Sequence, residues 1–469
     1  MTHLYRTHTC GELATKQIGK RVTLSGWVHS RRDHGGLIFL DLRDGYGITQ
    51  VTFNPKISKE AWKTADQVRS EYVVTVEGKV TKRPKDMINR KLATGEIEVM
   101  VDRIEILSKA KTPPFEITCP SKGDKEKEIS EDVRLKWRYL DLRQERMKDN
   151  VLLRDKIVKF IRDFLTKRDF VEIETPILGK STPEGARDYL VPSRLYWGKF
   201  YSLPQSPQQY KQLLMVAGFD KYFQIARCFR DEDTRADRQP EFTQLDLEMS
   251  FVNQKEILDL SEELFTKTIE KLTDKKILKK PWPRLKYREC IEKYGTDKPD
   301  LRFGMELVDV TEIVKGSKFK VFQEAIKDKG VIKGLVAPGC AEYSHKQLDE
   351  LVEYAKQFGA KGLAWLALKR KRVESPIAKF FSEHEVNELV SEMGAKEGDL
   401  LLFVADKPKI AAQALGELRS YLGDKLKLKD PNILACCFIV EWPLFEWNEE
   451  EKRLDPCHHI FTAPKEEDI

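Results

Sequence analysis

The stretch that decides the fold is Phe223-Gln-Ile-Ala-Arg-Cys-Phe-Arg-Asp-Glu-Asp-Thr-Arg-Ala-Asp-Arg-Gln-Pro-Glu-Phe-Thr-Gln-Leu-Asp-Leu-Glu-Met249. Its alternating pattern predicts two antiparallel strands around a charged loop, because successive side chains of a strand point to opposite faces. The back face is apolar, and the front face carries charges and one aromatic ring. The front comprises Cys228, Arg230, Glu232, Phe242, Gln244, Asp246 and Glu248, and the back comprises Phe223, Ile225, Phe229, Leu245 and Leu247.

The front face has the chemistry of a nucleotide site. An arginine fork beside a carboxylate, with Phe242 across the ladder, suits a base lying on the ring and a phosphate held by the guanidinium. The loop adds Arg235 and Arg238 for further phosphates. The alternative is a surface hairpin whose charges only pair with one another.

Two motifs resemble the class II aminoacyl-tRNA synthetases. The second signature motif of that class resembles two segments here, Phe229–Glu232 and Phe242–Asp246, together with Arg238. The first motif resembles residues 154–178, which include Pro176. Over essentially the whole chain the sequence resembles bacterial-type aspartyl-tRNA synthetases, of the aspartate, asparagine and lysine subgroup. The segments that carry this are Ser181-Thr-Pro-Glu-Gly-Ala186, Leu203-Pro-Gln-Ser-Pro-Gln208, Lys211 and residues 230–239.

The resemblance implies an α+β multidomain fold. Its parts would be an N-terminal OB-fold β-barrel, a class II catalytic domain built on an antiparallel sheet with helices, and an α/β insertion domain. The expected boundaries are 1–107 for the barrel, 108–135 for a hinge, 136–300 and 426–469 for the catalytic domain, and 301–425 for the bacterial-type insertion. A chain of 469 residues has room for two to four domains.

The residues alone also predict the barrel. Strand patterns at 22–28, 37–41, 48–53, 72–79 and 96–101, with a helix at 59–68, follow the OB-fold order. Such barrels bind oligonucleotides on their second and third strands, where Phe39 offers a ring for stacking and Gln50 an amide. The alternative places Phe39 in the core.

The resemblance implies that this face binds the tRNA anticodon. Phe39 would lie under a base, and Arg32 and Gln50 would form hydrogen bonds. His34 resembles the variant of members that charge both tRNA-Asp and tRNA-Asn, yet residues 82–90 lack the glycine that usually accompanies it. The expected partner is therefore tRNA-Asp, and tRNA-Asn stays open.

The resemblance also implies an aspartate-tRNA ligase that uses ATP and Mg²⁺. Arg230 and Glu232 are the expected catalytic residues. ATP would contact Arg230, Asp231, Glu232, Gln239 and Phe242, and aspartate would contact Glu184, Gln208, Lys211, Arg230, Asp246, His458 and His459. A site with a buried lysine rejects the neutral amide of asparagine, because the lysine would be left unpaired.

Composition limits the other classes. A net charge of +6, from 82 basic and 76 acidic residues, permits nucleic-acid binding without demanding it. The eight cysteines form no CxxC pair, and neighbouring histidines on a strand point to opposite faces, so we expect no metal site within this chain. The absence of a signal sequence and of an apolar run of about 18 residues favours the cytoplasm.

Two expectations concern assembly and activity, and two competing functions are weighed against the ligase. Apolar positions 151, 152, 157, 158, 161, 164 and 165 form one helical stripe, which in the family lies at a homodimer interface, whereas a helix that covers its own sheet needs no partner. The third class II motif is not in these residues, so we expect a truncated chain that is inactive alone. Competing functions are an asparaginyl-tRNA synthetase, disfavoured by Lys211 and the insertion, and an RNA-binding paralogue without catalysis.

Overall fold

The computed structural model describes residues 5–117, 129–182, 184–234, 238–370, 372–448, 450–458 and 462–469. Arg235, His459 and residues 118–128 of the expected hinge lie outside these ranges. The chain divides into two compact units, Met1–Asp155 and Lys156–Ile469, and the finer domain boundaries stay predictions. No described helix is long and apolar enough to cross a membrane.

The first unit contains a closed five-stranded barrel, as predicted. Its strands alternate between buried and more accessible side chains, as in β2, because every second side chain enters the barrel. The order around the barrel is β1-β2-β3-β5-β4, with a core that includes Leu24, Leu40 and Val76. The elements are β1 (Arg21–His34), β2 (Leu37–Arg43), β3 (Ile48–Phe53), α1 (Lys59–Asp66), β4 (Val73–Lys82) and β5 (Ile97–Ser108).

Helices and short strands follow the barrel and lead to the hairpin. Strands β10, β9 and β6 form one sheet in that order, and its apolar face packs on α4 and α6. Helix α6 begins with a capping box between Asn253 and Glu256, which satisfies its first free N–H groups. The elements are α2 (Glu131–Lys136), α3 (Arg138–Asp141), α4 (Glu145–Thr166), β6 (Val171–Glu172), β7 (Leu190–Pro192), β8 (Phe200–Ser202), α5 (Gln208–Val216), β9 (Lys221–Phe229), β10 (Glu241–Met249), α6 (Gln254–Leu272), β11 (Lys276–Ile277), β12 (Arg284–Lys286) and α7 (Tyr287–Tyr294).

The apolar stripe of α4 divides into two parts. Phe164 and Leu165 are buried in the same cluster as Phe223 of the hairpin, so the C-terminal half of the stripe covers the protein's own sheet. Val151 and Leu152 are 52% and 45% exposed. Helical periodicity cannot distinguish these two environments, and the homodimer stays a prediction.

The region expected to be an insertion is built on a five-stranded antiparallel sheet with a core on each face. Along the central strand, Leu400 and Leu402 enter one core and Leu401 and Phe403 the other. The strand order is β13-β14-β17-β15-β16. The elements are β13 (Val308–Asp309), α8 (Lys320–Lys327), β14 (Val331–Ala337), α9 (His345–Gln357), β15 (Ala364–Lys369), β16 (Arg372–Glu374), α10 (Glu383–Glu392), β17 (Leu400–Asp406) and α11 (Pro408–Lys425).

The chain then returns to pair with elements that precede the insertion. Strand β18 (Ile433–Leu434) lies parallel to β11, and β19 (Phe438–Val440) lies parallel to β12. A last hairpin consists of β20 (Phe445–Asn448) and β21 (Arg453–Pro456). The segments before and after residues 301–425 are therefore joined by two short parallel strand pairs.

Candidate functional sites

The register of the hairpin explains how it presents its front face. Phe242 pairs with Cys228, and the ladder ends at the next pair, Phe229 with Glu241. Arg230 donates its backbone N–H to the carbonyl of Pro240 at 2.9 Å, but proline has no N–H to return a bond. The strand therefore stops before Arg230, and the prediction that Arg230 and Glu232 lie on a face of this strand is wrong. The apolar back is confirmed for Phe223, Ile225, Leu245 and Leu247, which pack in one core cluster, whereas Phe229 lies outside that cluster.

Arg230 and Phe242 lie together on the front. The guanidinium carbon of Arg230 is 5.1 Å from the centroid of the Phe242 ring, within the range of a cation–π contact. The Nε of Arg230 also donates to the backbone carbonyl of Gln205 at 3.3 Å. A fixed guanidinium beside an aromatic face is the arrangement expected for phosphate and base.

Lys211 forms the charged centre of the site. Its ammonium lies 2.8 Å from Asp246 Oδ1 and 3.3 Å from Glu248 Oε2, on the second strand of the hairpin. The side chains of Lys211 and Asp246 are only 11% and 10% exposed, and burial raises the pKa of Asp246 although Lys211 opposes that shift. Among the described residues, Asp246 Oδ2 is buried without a hydrogen-bond partner. Water, the neighbouring Tyr222 hydroxyl or a cationic ligand can satisfy such an oxygen.

Glu184 is held next to this centre. Its two carboxylate oxygens accept hydrogen bonds from Thr182, at 2.9 Å, and from Ser206, at 2.6 Å. Its charge also contributes to the raised pKa of Asp246, after burial. Gln208 begins α5, one helical turn before Lys211, as predicted.

Three polar residues of the site were missed by sequence reasoning. Gln205 is 1% exposed, and its side chain bonds the loop that carries Glu184. Tyr222 is buried, and its hydroxyl donates to Gln224 at 2.8 Å. Gln224 in turn accepts from Thr175 at 2.9 Å. The Leu203 to Gln208 motif was a signal for Gln205, whereas Tyr222 and Gln224 share the front-face period with Cys228 and were overlooked.

Cys228 was predicted on the front, and the structure buries its thiol. It is fully buried, burial raises its pKa to about 11, and its Sγ donates to Gln244 Oε1 at 3.3 Å. A thiolate nucleophile would require a lowered pKa and access to solvent. Cys228 is therefore a packing residue beneath the site.

Other predicted ligands lie at the margin or elsewhere. Glu232 is exposed and pairs with Arg238 at 3.5 Å, and Gln239 is exposed. Asp231 forms a β-bridge with Arg187 of the loop that carries Glu184. The ring of His458 lies 6.0 Å from that of Trp442, and none of the hydrogen bonds of the described residues joins it to Lys211 or Asp246.

The four residues predicted to bind an anticodon lie on neighbouring barrel strands. Phe39 is half-buried between the inward-facing Ile38 and Leu40 and lies outside the core cluster, so the alternative that placed it in the core is wrong. It pairs with Arg32, whose guanidinium lies 3.2 Å from Gln50 Oε1. His34 is exposed at the end of β1. A ring, a cation and an amide therefore share one outer face.

A metal site was not expected. Across the described ranges, no three His, Cys, Asp or Glu side chains are close enough together to hold an ion. Because His459 is outside those ranges, the structure does not test residues 457–459.

The comparisons with known proteins identify two families in the chain. The family described as tRNA synthetases class II (D, K and N) matches residues 130–469, and the OB-fold nucleic acid binding domain family matches residues 22–107. The chain is 55% identical over 468 residues to an aspartate-tRNA(Asp/Asn) ligase of Rubrobacter xylanophilus, covering 100% of this chain and 77% of that protein. It is 56% identical over 465 residues to the Moorella thermoacetica protein of the same name, covering 99% and 76%.

Solved structures agree at the level of fold. An asparaginyl-tRNA synthetase from Pyrococcus horikoshii, complexed with asparaginyl-adenylate, superposes with a TM-score of 0.51 at 20% identity, covering 88% of this chain and 95% of that one. At this identity the likeness shows the fold alone. Since the family match extends over well more than half of the sequence, the chain belongs to the class II tRNA synthetases of the D, K and N family.

Proposed function

We propose that this protein is an aspartate-tRNA ligase, which activates L-aspartate with ATP and transfers it to the 3′ end of tRNA-Asp. The relatives that match over the whole chain carry that name with tRNA(Asp/Asn). The observation that carries the proposal is the buried Lys211–Asp246 pair, with its unpartnered Asp246 Oδ2, on the same front face as Arg230 and Phe242. One end of this arrangement suits an amino acid with a carboxylate side chain, and the other suits a nucleotide.

Aspartate has groups that complement this charge pattern. Its ammonium would bind Asp246 Oδ2 and Glu184, and its side-chain carboxylate would bind Lys211. Gln208, at the start of the same helix as Lys211, would bind the substrate's backbone groups. Asparagine lacks the second carboxylate, so binding it would leave the buried lysine without a new partner and would cost affinity.

The proposed reaction has two steps. In the first, an oxygen of the substrate's α-carboxylate bonds to the α-phosphorus of ATP while the bond to the bridging oxygen breaks, and pyrophosphate leaves with that electron pair. In the second, a ribose hydroxyl of the tRNA terminus attacks the aspartyl carbonyl and AMP leaves. Neither step needs a nucleophilic side chain, so catalysis consists of positioning and charge stabilisation, with Arg230 opposite the α-phosphate.

Phe242 would support the adenine, and Asp231, Glu232 and Gln239 would contribute further ATP contacts from the loop. Mg²⁺ stays part of the proposal as a partner of the ATP phosphates, because this ion is usually held by phosphates together with one or two carboxylates. The described residues offer it no ready-made cluster, and we derive no step through a protein-bound ion.

The barrel face is proposed to bind the anticodon. Support comes from the shared outer face of Arg32, Phe39 and Gln50 and from the match to a nucleic-acid-binding OB-fold. His34, exposed beside this face, is the proposed position at which tRNA-Asn is tolerated as a second substrate.

Three finer proposals concern the whole protein. It is a homodimer, it acts in the cytoplasm, and residues 1–469 by themselves are a poor catalyst because they lack a third class II motif.

Aspartate-dependent exchange of labelled pyrophosphate into ATP tests the proposal on the full-length protein that contains this sequence. Arg230→Ala should lower the exchange rate at least about a hundredfold, since one lost donor to the transition-state charge costs about 3 kcal/mol. Arg227→Ala is the matched control, because Arg227 lies on β9 three residues before Arg230 but is exposed and contacts Thr243 and Glu241. Near-normal exchange by Arg230→Ala would remove Arg230 from the mechanism, and exchange with asparagine in place of aspartate would refute the assigned substrate.

A further inference from the structure

A buried amide lies behind the charged centre. Gln205 is 1% exposed, and its side chain brackets the peptide of Ala186: Oε1 accepts the Ala186 N–H at 3.0 Å, and Nε2 donates to the Ala186 carbonyl at 2.8 Å. The same Nε2 donates to Asp188 Oδ1 at 2.5 Å, and Asp188 Oδ2 accepts from Ser181. Both N–H groups of the amide are used, and only one orientation of the amide satisfies all three partners.

The backbone around Gln205 contacts the other half of the site. Its own carbonyl accepts from Arg230 Nε at 3.3 Å. The preceding residue, Pro204, accepts the N–H of Phe229, which fixes this segment against the end of β9. The following residue, Ser206, donates to Glu184 at 2.6 Å. Three consecutive residues therefore connect the strand end, the arginine and the loop.

These contacts give Gln205 two roles at once. Its side chain sets the position of the loop that presents Glu184, and its carbonyl sets the direction of the Arg230 guanidinium. Among the described residues, one contact that does not involve residues 204–206 also joins this loop to the segment after β9. It is the β-bridge between Arg187 and Asp231. Without the amide, the described contacts would link Glu184 to the Arg230 side of the site only through its bond from Ser206 and the bridge between Arg187 and Asp231.

We propose that Gln205 is a positioning residue for aspartate binding. It joins the loop that carries Glu184 to Arg230, so that Glu184 can bind the substrate's ammonium while Arg230 binds its carboxylate. The proposal deepens the function proposed above and rests on it. It assigns no chemical step to Gln205, because its polar groups are all directed at protein atoms.

The first test needs no activity. Lys180 is exposed immediately before the loop, so trypsin cleavage after Lys180 in the folded full-length protein reports release of the loop. Gln205→Glu removes both donors and places a second carboxylate against Asp188. Gln205→Met removes the hydrogen bonds without adding charge. Both should be cleaved after Lys180 at least about tenfold faster, while Gln212→Glu, an exposed change on α5, should match the parent.

The second test separates positioning from general damage. In pyrophosphate exchange, Gln205→Glu should raise KM for aspartate at least about tenfold and change KM for ATP by less than about threefold. Adding Asp188→Asn should restore part of the loss, because the amide introduced at position 188 can donate to the carboxylate introduced at position 205 and still accept from Ser181. A protein that was merely destabilised would show no such rescue.

The outcomes are distinct. Unchanged cleavage after Lys180 in both Gln205 variants, or equal rises in both KM values without rescue by Asp188→Asn, would overturn the proposal. Should the parent protein fail to exchange pyrophosphate with aspartate while the cleavage result holds, the proposed function fails and the loop contact of Gln205 survives. Faster cleavage with a selective, rescued rise in KM for aspartate supports both.

Discussion

Replacing Lys211 by methionine tests whether the site is built around its ion pair. Methionine keeps the length and most of the volume of the lysine stem but removes the ammonium that lies 2.8 Å from Asp246 and 3.3 Å from Glu248. Asp246 would then be a carboxylate that is about nine-tenths buried and has no cation. Glu248 is 31% exposed, so water compensates for most of its loss.

The expected cost follows from this burial. Removing one partner of a buried pair costs about 3 to 5 kcal/mol, because the other charge stays buried without compensation. We expect the lower end, about 3 kcal/mol, since Asp246 can escape by taking up a proton. Amide hydrogen exchange of the peptide 221–249 measures this locally, and exchange should be about 150-fold faster at neutral pH if the hairpin opens as a unit.

The pH dependence of that loss has a definite sign. Burial already raises the pKa of Asp246 in the folded protein, and removing Lys211 removes a group that lowers it. A carboxyl group with a raised folded pKa takes up protons on folding, so its ionisation destabilises the protein as pH rises from the unfolded value, about 3.9, through the folded one. The Lys211→Met defect should therefore shrink as the pH is lowered toward about 4.

A matched control and a clear refutation are available. Lys255→Met removes an exposed lysine that pairs with Asp259 within α6, and it should leave the exchange of peptide 221–249 unchanged. If Lys211→Met exchanges like the parent, or if its defect stays constant on acidification, Asp246 is not a buried, uncompensated charge in the variant. The account of the site given above would then be wrong.

Three further predictions concern other parts of the chain. Phe39→Ala should weaken binding of an anticodon stem-loop by about 1 to 3 kcal/mol in a titration, with little change in barrel stability, because the ring lies outside the core. Glu71→Gln should destabilise the barrel unit by about 2 kcal/mol in urea, because the buried Glu71 accepts from Arg43 at 2.9 Å and from Arg143 at 2.6 Å; an equally stable variant would refute this. Arg419→Met should cost at least about 3 kcal/mol, measured by exchange at 300–305, because it leaves four backbone carbonyls there without a donor.

Much of the fold could be predicted because it depends on local pattern. A two-residue period at 22–28 requires a strand with one face inside, whatever the remainder of the chain does. The same period correctly divided the hairpin into a front and a back. It failed at Glu232, because the end of a ladder is decided by the partner strand, where Pro240 offers no N–H.

The contacts inside the site could not be predicted, because they join residues far apart in sequence. Lys211 and Asp246 were both assigned to the substrate, but nothing in their spacing indicated that they would pair with each other. Gln205 bonds residues that lie 17 and 19 positions earlier, and burial of an amide has no periodic signature. On α4, one apolar stripe contains both Leu165 in the core and Leu152 in solvent, since periodicity does not say what covers a face.

The pairing of Lys211 with Asp246 changes how selectivity for aspartate should be understood. Before substrate arrives, the lysine is satisfied by two carboxylates, so neither charge bears the full cost of burial. In the proposed complex, the ammonium of aspartate would pair with Asp246 Oδ2 and its side-chain carboxylate would pair with Lys211, so each member of the internal ion pair would gain an opposite charge. Asparagine would bring its ammonium to Asp246 but no side-chain carboxylate, so Lys211 would gain no new partner. Discrimination between aspartate and asparagine would then arise from the balance of charges among Lys211, Asp246, Glu248 and the substrate. The sequence suggested a buried lysine left unpaired by asparagine, and that is not required.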